Sequence, residues 1–219
     1  MKLLAIDTST EACSAALHIG GETMARYEFA PRCHAELILP MVDQLLAEAQ
    51  IKLSGLDAIA FGRGPGSFTG VRIATGVAQG LAFSVGLPLI PVSSLATLAQ
   101  SVNGQAEHIA SIIDARMEEV YYGLFRSSDI VAPVGEESVI APEHIITGDC
   151  PNCFGIGSGW ARYADILQYV FMGRLAGYSA DRYPHARDMV PLALRAFRNG
   201  ELKAPEDAAP VYLRNRVTG

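Results

Sequence analysis

Charge and cysteine are both scarce in this chain. Only 18% of its 219 residues are Asp, Glu, Lys or Arg, and 4 are Cys. So few thiols exclude a disulfide-stapled scaffold, and an apolar fraction of 50% excludes intrinsic disorder. Positive charge is the scarcer sign: 17 Lys and Arg against 23 Asp and Glu leave a formal charge of −6. A chain of that sign repels phosphate backbones, so it is not expected to hold DNA or RNA alone, because counterion release needs a basic face. A nucleic acid stays open as the substrate of a larger assembly.

Other absences narrow the classes further. Met1–Asp7 has one basic residue and a short apolar run stopped by Asp7, without the longer apolar core and cleavage site of a signal peptide. No charged residue occurs between Arg72 and Glu107. A membrane span needs about 20 mostly apolar residues. Gly76, Gln79, Gly80, Ser84 and Gly86 interrupt this stretch, and Pro88 and Pro91 break it, so a buried helix and strand are expected, in a cytoplasmic protein. No two of the five histidines lie at helical ligand spacing, and neither His-Glu-x-x-His nor Gly-x-Ser-x-Gly occurs. Cys150-Pro151-Asn152-Cys153 lacks the second pair of ligands a structural zinc wants, which leaves two free thiols. No metal, no cofactor and no catalytic residue are expected.

What is present has a clear order. Lys2–Asp7, Cys13–Ile19 and Glu22–Phe29 are three short strands, the last two joined by the turn signal Gly20-Gly21. Leu37, Ile38, Met41, Val42, Leu45, Leu46 and Ala49 then form the stripe of an amphipathic helix over 34–50. Asp57–Gly62 is a strand, Val71–Val85 a helix, Leu87–Val92 a strand and Ser94–Val102 a helix capped by Ser93 or Ser94. Strand, strand, strand, helix, strand, helix is an α/β unit on a mixed sheet. A second, weaker copy begins near Ile109 with Ile109–Asp114, Glu119–Phe125 and Ile130–Val134, and its helices are expected at Ala161–Val170 and Pro191–Asn199. An internal duplication accounts for this. It divides the chain into an N-terminal lobe, 1–103, and a reduced C-terminal lobe, 104–219, whose tail packs back on the first.

Three segments could carry chemistry. Asp7-Thr8-Ser9-Thr10 and Asp114-Ala115-Arg116 each place an acid at a strand end before a turn. A phosphate-binding turn of that kind usually asks for Gly, and neither has one. Gly62-Arg63-Gly64-Pro65-Gly66-Ser67-Phe68-Thr69-Gly70 follows a strand and opens a helix, so Gly64, Gly66, Ser67 and Thr69 form a candidate anion loop. Pro65 removes one amide from it, and a packing loop with Ser67 or Thr69 as helix cap is an equal reading. The helix that follows has no charged face after Arg72, and Gly76-x-x-x-Gly80 flattens one side so that another backbone can come close. A helix apolar all round must be covered on every side, and one sheet covers only one. His34, Leu37, Ile38, Met41 and Leu45 on the first helix, with Val71, Ala74, Val77, Ala78 and Leu81 on the second, are the expected partner surface.

Taken together, Met1–Thr10, His34-Ala35-Glu36, Gly64–Arg72, Asp114-Ala115-Arg116 with Glu119-Val120-Tyr121, and Pro210-Val211-Tyr212-Leu213-Arg214 resemble the TsaB (YeaZ) family, end to end. The resemblance implies a two-lobed fold like that of actin, Hsp70 and sugar kinases (ASKHA), built from duplicated βββαβα units. It implies a cytoplasmic, non-catalytic subunit of the machinery that makes threonylcarbamoyladenosine beside the tRNA anticodon. It also implies pairing with the catalytic paralogue TsaD, recruitment of the ATPase TsaE, a homodimer by the same face when TsaD is absent, and tRNA contact only through the complex. Where TsaD has a His-x-x-x-His metal motif, this chain has Ser94 and Leu98, and leucine ligates no metal. The alternative is a small-molecule kinase or ATPase on the same scaffold, with Asp7 or Asp114 holding magnesium.

Overall fold

The turn at Gly20-Gly21 takes positive φ at both residues, 61° and 96°, which glycine tolerates without strain. It joins strands β2 (Ala12–Ile19) and β3 (Glu22–Phe29) into an antiparallel hairpin beside β1 (Lys2–Asp7). In this computed structural model, residues 1–148 and 150–214 are described. Helix α1 (His34–Glu48), β4 (Ala58–Gly64), α2 (Phe68–Val85), β5 (Leu89–Ser93) and α3 (Ser94–Ser101) follow. The first sheet has the order β3-β2-β1-β4-β5, with β4 and β5 parallel to β1. This is the βββαβα unit that the sequence pattern predicts.

The second sheet repeats that order with later strands: β8 (Ala132–Pro133), β7 (Val120–Arg126), β6 (His108–Asp114), β10 (Cys153–Ile156), β11 (Leu175–Ser179). As in the first sheet, the central strand has antiparallel neighbours on one side and parallel ones on the other. A short strand β9 (Ser138–Ile140) also pairs with β7. The copy corresponding to β3 is only two residues long because Pro133 has no amide for the ladder. The expected helix over 161–170 is two helices, α4 (Ser158–Arg162) and α5 (Ala164–Val170), broken at Tyr163. Trp160 fills this unit's core with Phe171 and Leu167, and its indole N–H donates to the Ala110 carbonyl at 3.2 Å.

The chain divides into two compact units, Met1–Thr97 with Pro184–Val211 and Leu98–Tyr183 with the chain end. The crossing lies within α3, at 97/98 rather than at 103/104, and the segment 184–211 belongs to the first unit. Its helix α6 (Ala186–Arg198) begins five residues before the expected Pro191, because two side chains cap it early: the Ser14 hydroxyl accepts the Ala186 N–H and His185 Nδ1 accepts the Arg187 N–H.

Strand alternation decides what packs where in the first unit. Leu4, Ile6, Cys13, Ala15, Leu17, Ile59 and Phe61 point to one face and form a core with α1 and α2. Ala5, Ala12, Ser14, Ala16, Ala58 and Ala60 point to the other, and α6 lies against these small side chains. No helix among the described residues is long and apolar enough to cross a membrane.

Candidate functional site

Asp7 ends β1 with no solvent exposure. Its Oδ1 accepts the Ser9 N–H at 2.9 Å and the Ser9 hydroxyl at 2.7 Å, and its Oδ2 has no partner. Burial pushes its pKa up to about 6, against the smaller opposing effect of the two Ser9 bonds. Gly62 of β4 lies directly over the carboxylate, where a Cβ would overlap Oδ2. Asp7 is therefore walled in and offers no oxygen to a solvent-borne magnesium ion.

The glycine loop is spent on the same neighbours. A Cβ on Gly66 would overlap the Ser9 carbonyl, and one on Gly70 the Thr8 carbonyl. The Ser67 N–H donates to the Ser9 carbonyl at 2.7 Å, and the Thr8 hydroxyl to the Gly70 carbonyl at 2.7 Å. Ser67, not Thr69, caps α2, its Oγ accepting the Gly70 N–H at 3.0 Å. Gly64 takes φ +95° and packs against Val71 and the Val211 carbonyl. These glycines permit close backbone packing, and the Ser67 and Gly70 amides that an anion would need are already used.

Asp114 is engaged differently. Its Oδ1 accepts the Arg116 N–H at 3.0 Å, while its Oδ2 pairs with the Arg116 guanidinium at 3.0 Å and Arg162 at 3.6 Å. The acid thus caps a local amide, and the turn behind it takes positive φ without glycine: Arg116, Met117 and Glu118 hold φ of 62°, 53° and 60°. Such conformations cost roughly 1–2 kcal/mol per L-residue. Arg214 is the brace, donating to the Ala115 carbonyl at 3.1 Å, to the Arg116 carbonyl at 3.4 Å and to the Glu119 carboxylate. Its tie to this turn was not legible from spacing, since 95 positions separate Arg214 from Glu119.

The partner surface needs correction residue by residue. Ile38, Met41, Leu45 and Ala78 belong to the core under α1 and α2, and His34, Val71 and Ala74 are buried as well. Leu37, Val77 and Leu81 are partly buried against that core. The physical reason is direct: on a helix apolar all round, the small and branched residues at 71, 74, 75, 78 and 82 are the ones that meet the sheet. The exposed arc of α2 instead carries Phe68, Arg72, Gly76, Gly80 and Phe83, with Leu39 exposed on α1. Phe83 is 77% exposed, and the Arg72 guanidinium lies 3.5 Å from the Phe68 ring centroid. A Cβ at Gly76 or Gly80 would meet nothing within 4 Å. The four-residue spacing of the two glycines was the available signal for which side faces outward.

The remaining candidates are buried. Cys150 and Cys153 are free, buried and hydrogen-bonded to one another, and burial raises both pKa values. Burial likewise pushes Cys13 up to about 12. Among the described residues no cluster of His, Cys, Asp or Glu is placed to hold a metal, and Ser94 and Leu98 are buried on α3.

Comparison with known proteins supplies the family. Residues 27–218 match the family described as "TsaD: tRNA N6-adenosine threonylcarbamoyltransferase". The tRNA threonylcarbamoyladenosine biosynthesis protein TsaB of Haemophilus influenzae is 42% identical over all of this chain and 95% of its own length. The protein of the same name from Escherichia coli K12 is 42% identical over 99% of this chain and 96% of its own. The chain belongs to the TsaB family. A solved structure of YeaZ from Pseudomonas aeruginosa is 48% identical and superimposes with a TM-score of 0.90, covering 97% of this chain and 99% of that one. A second solved structure, described as similar to the peptidase YeaZ from Pseudomonas aeruginosa, gives the same TM-score at 47% identity, covering 97% and 99%. Within the TsaB family fold, then, the two aspartates and the glycine loop of this chain are tied up internally, while the outward arc of α2 leaves Phe68 and Phe83 exposed.

Proposed function

We propose that this chain is a non-catalytic subunit in the making of threonylcarbamoyladenosine on tRNA, and that it supports the threonylcarbamoyltransferase TsaD by binding it through the exposed arc of α2 and the adjoining side of α1. One observation carries the reading: two glycines sit in the middle of α2 with open space above them, flanked by exposed Phe68 and Phe83. Glycine inside a helix costs about 1 kcal/mol relative to alanine. At Gly76 and Gly80 nothing inside the subunit requires it. A second backbone brought close over the two glycines does, and the aromatic residues at either end then enter the buried centre of an interface. The closed surroundings of Asp7, Asp114 and the glycine loop support the absence of chemistry. The ATPase TsaE joins the pair, tRNA reaches this subunit within the complex, and in the absence of TsaD a second copy covers the same face.

Gly76→Arg tests this in a pulldown of TsaD. The variant keeps its secondary structure, since the arginine enters solvent, and loses capture of TsaD; undiminished capture removes this face from the interface. Ala78 is no substitute probe, because it lies in the core and a charge there would unfold the helix contact. The kinase or ATPase alternative predicts micromolar nucleotide binding with turnover, which calorimetry on the pure chain reads directly.

A further inference from the structure

The other face of the first sheet ends in an aromatic cluster that the function above leaves unused. Tyr27 and Phe29 project from the same side of the edge strand β3, paired in register with Ser14 and Ala12. They are 43% and 54% exposed. The His185 ring stacks on Tyr27 with centroids 5.0 Å apart and planes 13° from parallel. His185 is also the cap of α6, and the Arg187 guanidinium reaches back to the Thr23 carbonyl of the same strand at 3.4 Å. Strand, cap and helix thus hold two aromatic rings, an imidazole and an arginine in one place.

The helix continues the pattern. Met189, Val190 and Ala193 turn toward the sheet and are buried, while Arg187, Arg195 and Arg198 lie on the opposite side. Arg187 to Arg198 spans roughly 16 Å along the axis. Helix α6 carries three arginines, Arg187, Arg195 and Arg198, and a single acid, Asp188, in a chain whose net charge is −6. Local charge here runs against the global one. Burial lowers the His185 pKa, so its ring is a neutral stacking surface at pH 7.

We propose that this cluster is a contact for single-stranded RNA, with bases stacking on Tyr27, Phe29 and His185 and the phosphates following Arg187, Arg195 and Arg198 along α6. Aromatic rings beside a basic track are the combination that binds single strands without reading sequence. The choice of RNA among polyanions rests on the proposed function, the relatives being named for tRNA threonylcarbamoyladenosine biosynthesis. Protein capture and RNA binding are separate readouts, so the two proposals fail separately.

Fluorescence anisotropy of the full chain with a labelled single-stranded oligoribonucleotide, and with bulk unmodified tRNA, at low and moderate salt, is the test. Tyr27→Leu is expected to weaken binding about tenfold, Tyr27→Phe to preserve it, and Arg187→Gln to reduce the salt slope by about one. Crosslinks from 4-thiouridine RNA to Tyr27 or Phe29 of the unaltered protein provide a readout free of any folding defect. No RNA binding, or Tyr27→Leu affinity equal to the parent's with crosslinks elsewhere, overturns the proposal. Loss of TsaD capture by Tyr27→Leu with RNA binding unchanged makes the cluster a protein contact and overturns it equally.

Discussion

Gly66 and Gly76 show how differently one residue type can be used within a single unit. The space above Gly66 is filled by the Ser9 carbonyl, while the space above Gly76 is empty. Gly66→Ala must push backbone against backbone and should cost about 1–3 kcal/mol of stability by denaturant unfolding. Asp7 has a second consequence at this scale. Its folded pKa of about 6 lies above the ordinary 3.8, so between those values the unfolded chain has released a proton that the folded chain still holds. Its contribution is neutral below about pH 4, falls as pH rises toward 6, and stays unfavourable above that, on the order of 3 kcal/mol in total. Asp7→Asn keeps an oxygen for the Ser9 bonds and removes the titration. The stability difference between the variant and the parent should therefore grow in the variant's favour from pH 4 to pH 6.5 and then level off; a difference that is flat across that range would show that Asp7 titrates normally.

Among elements, the left-handed turn at Arg116–Glu118 depends on a residue that arrives almost a hundred positions later. Arg214 satisfies two carbonyls and a carboxylate there from one planar guanidinium. Arg214→Ala should cost about 2 kcal/mol, and Arg214→Lys should recover little of it, because a single ammonium cannot span the same acceptors; full recovery by lysine would mean that charge alone holds the turn. The same contrast between local and distant causes explains what was legible beforehand. Strand β2 and helix α1 announce themselves through period-2 and period-3.6 patterns, β1, β4 and β5 as short apolar runs, and the duplication follows from the order of the elements. The early start of α6 did not, because one of its two caps is Ser14, 172 positions away. The outward side of α2 did not either: with apolar residues all round, only the sheet decides which of them is buried, and so Ile38, Met41, Leu45 and Ala78 were assigned to the surface although they form the core. Glycine spacing leaves an anion loop and a packing loop as equal readings, because spacing alone does not distinguish glycines that admit a ligand from glycines that admit a neighbouring strand; the structure takes the packing loop.

At the scale of the whole molecule, Asp7, Asp114 and the glycine loop are engaged internally while the outward arc of α2 is open, and stability and association should therefore respond in opposite directions to one change. Replacing Gly76 and Gly80 together with alanine gives α2 better helix formers in open space, worth about 0.5–1 kcal/mol each to the isolated chain. The same two methyl groups stand where a partner's backbone must approach. Calorimetric titration of TsaD into the parent chain and into the double alanine variant, alongside thermal unfolding of each alone, measures both effects. The variant is predicted to melt at a higher temperature and to bind TsaD at least tenfold more weakly. Equal affinity in a more stable variant would contradict the assignment of this face to the partner.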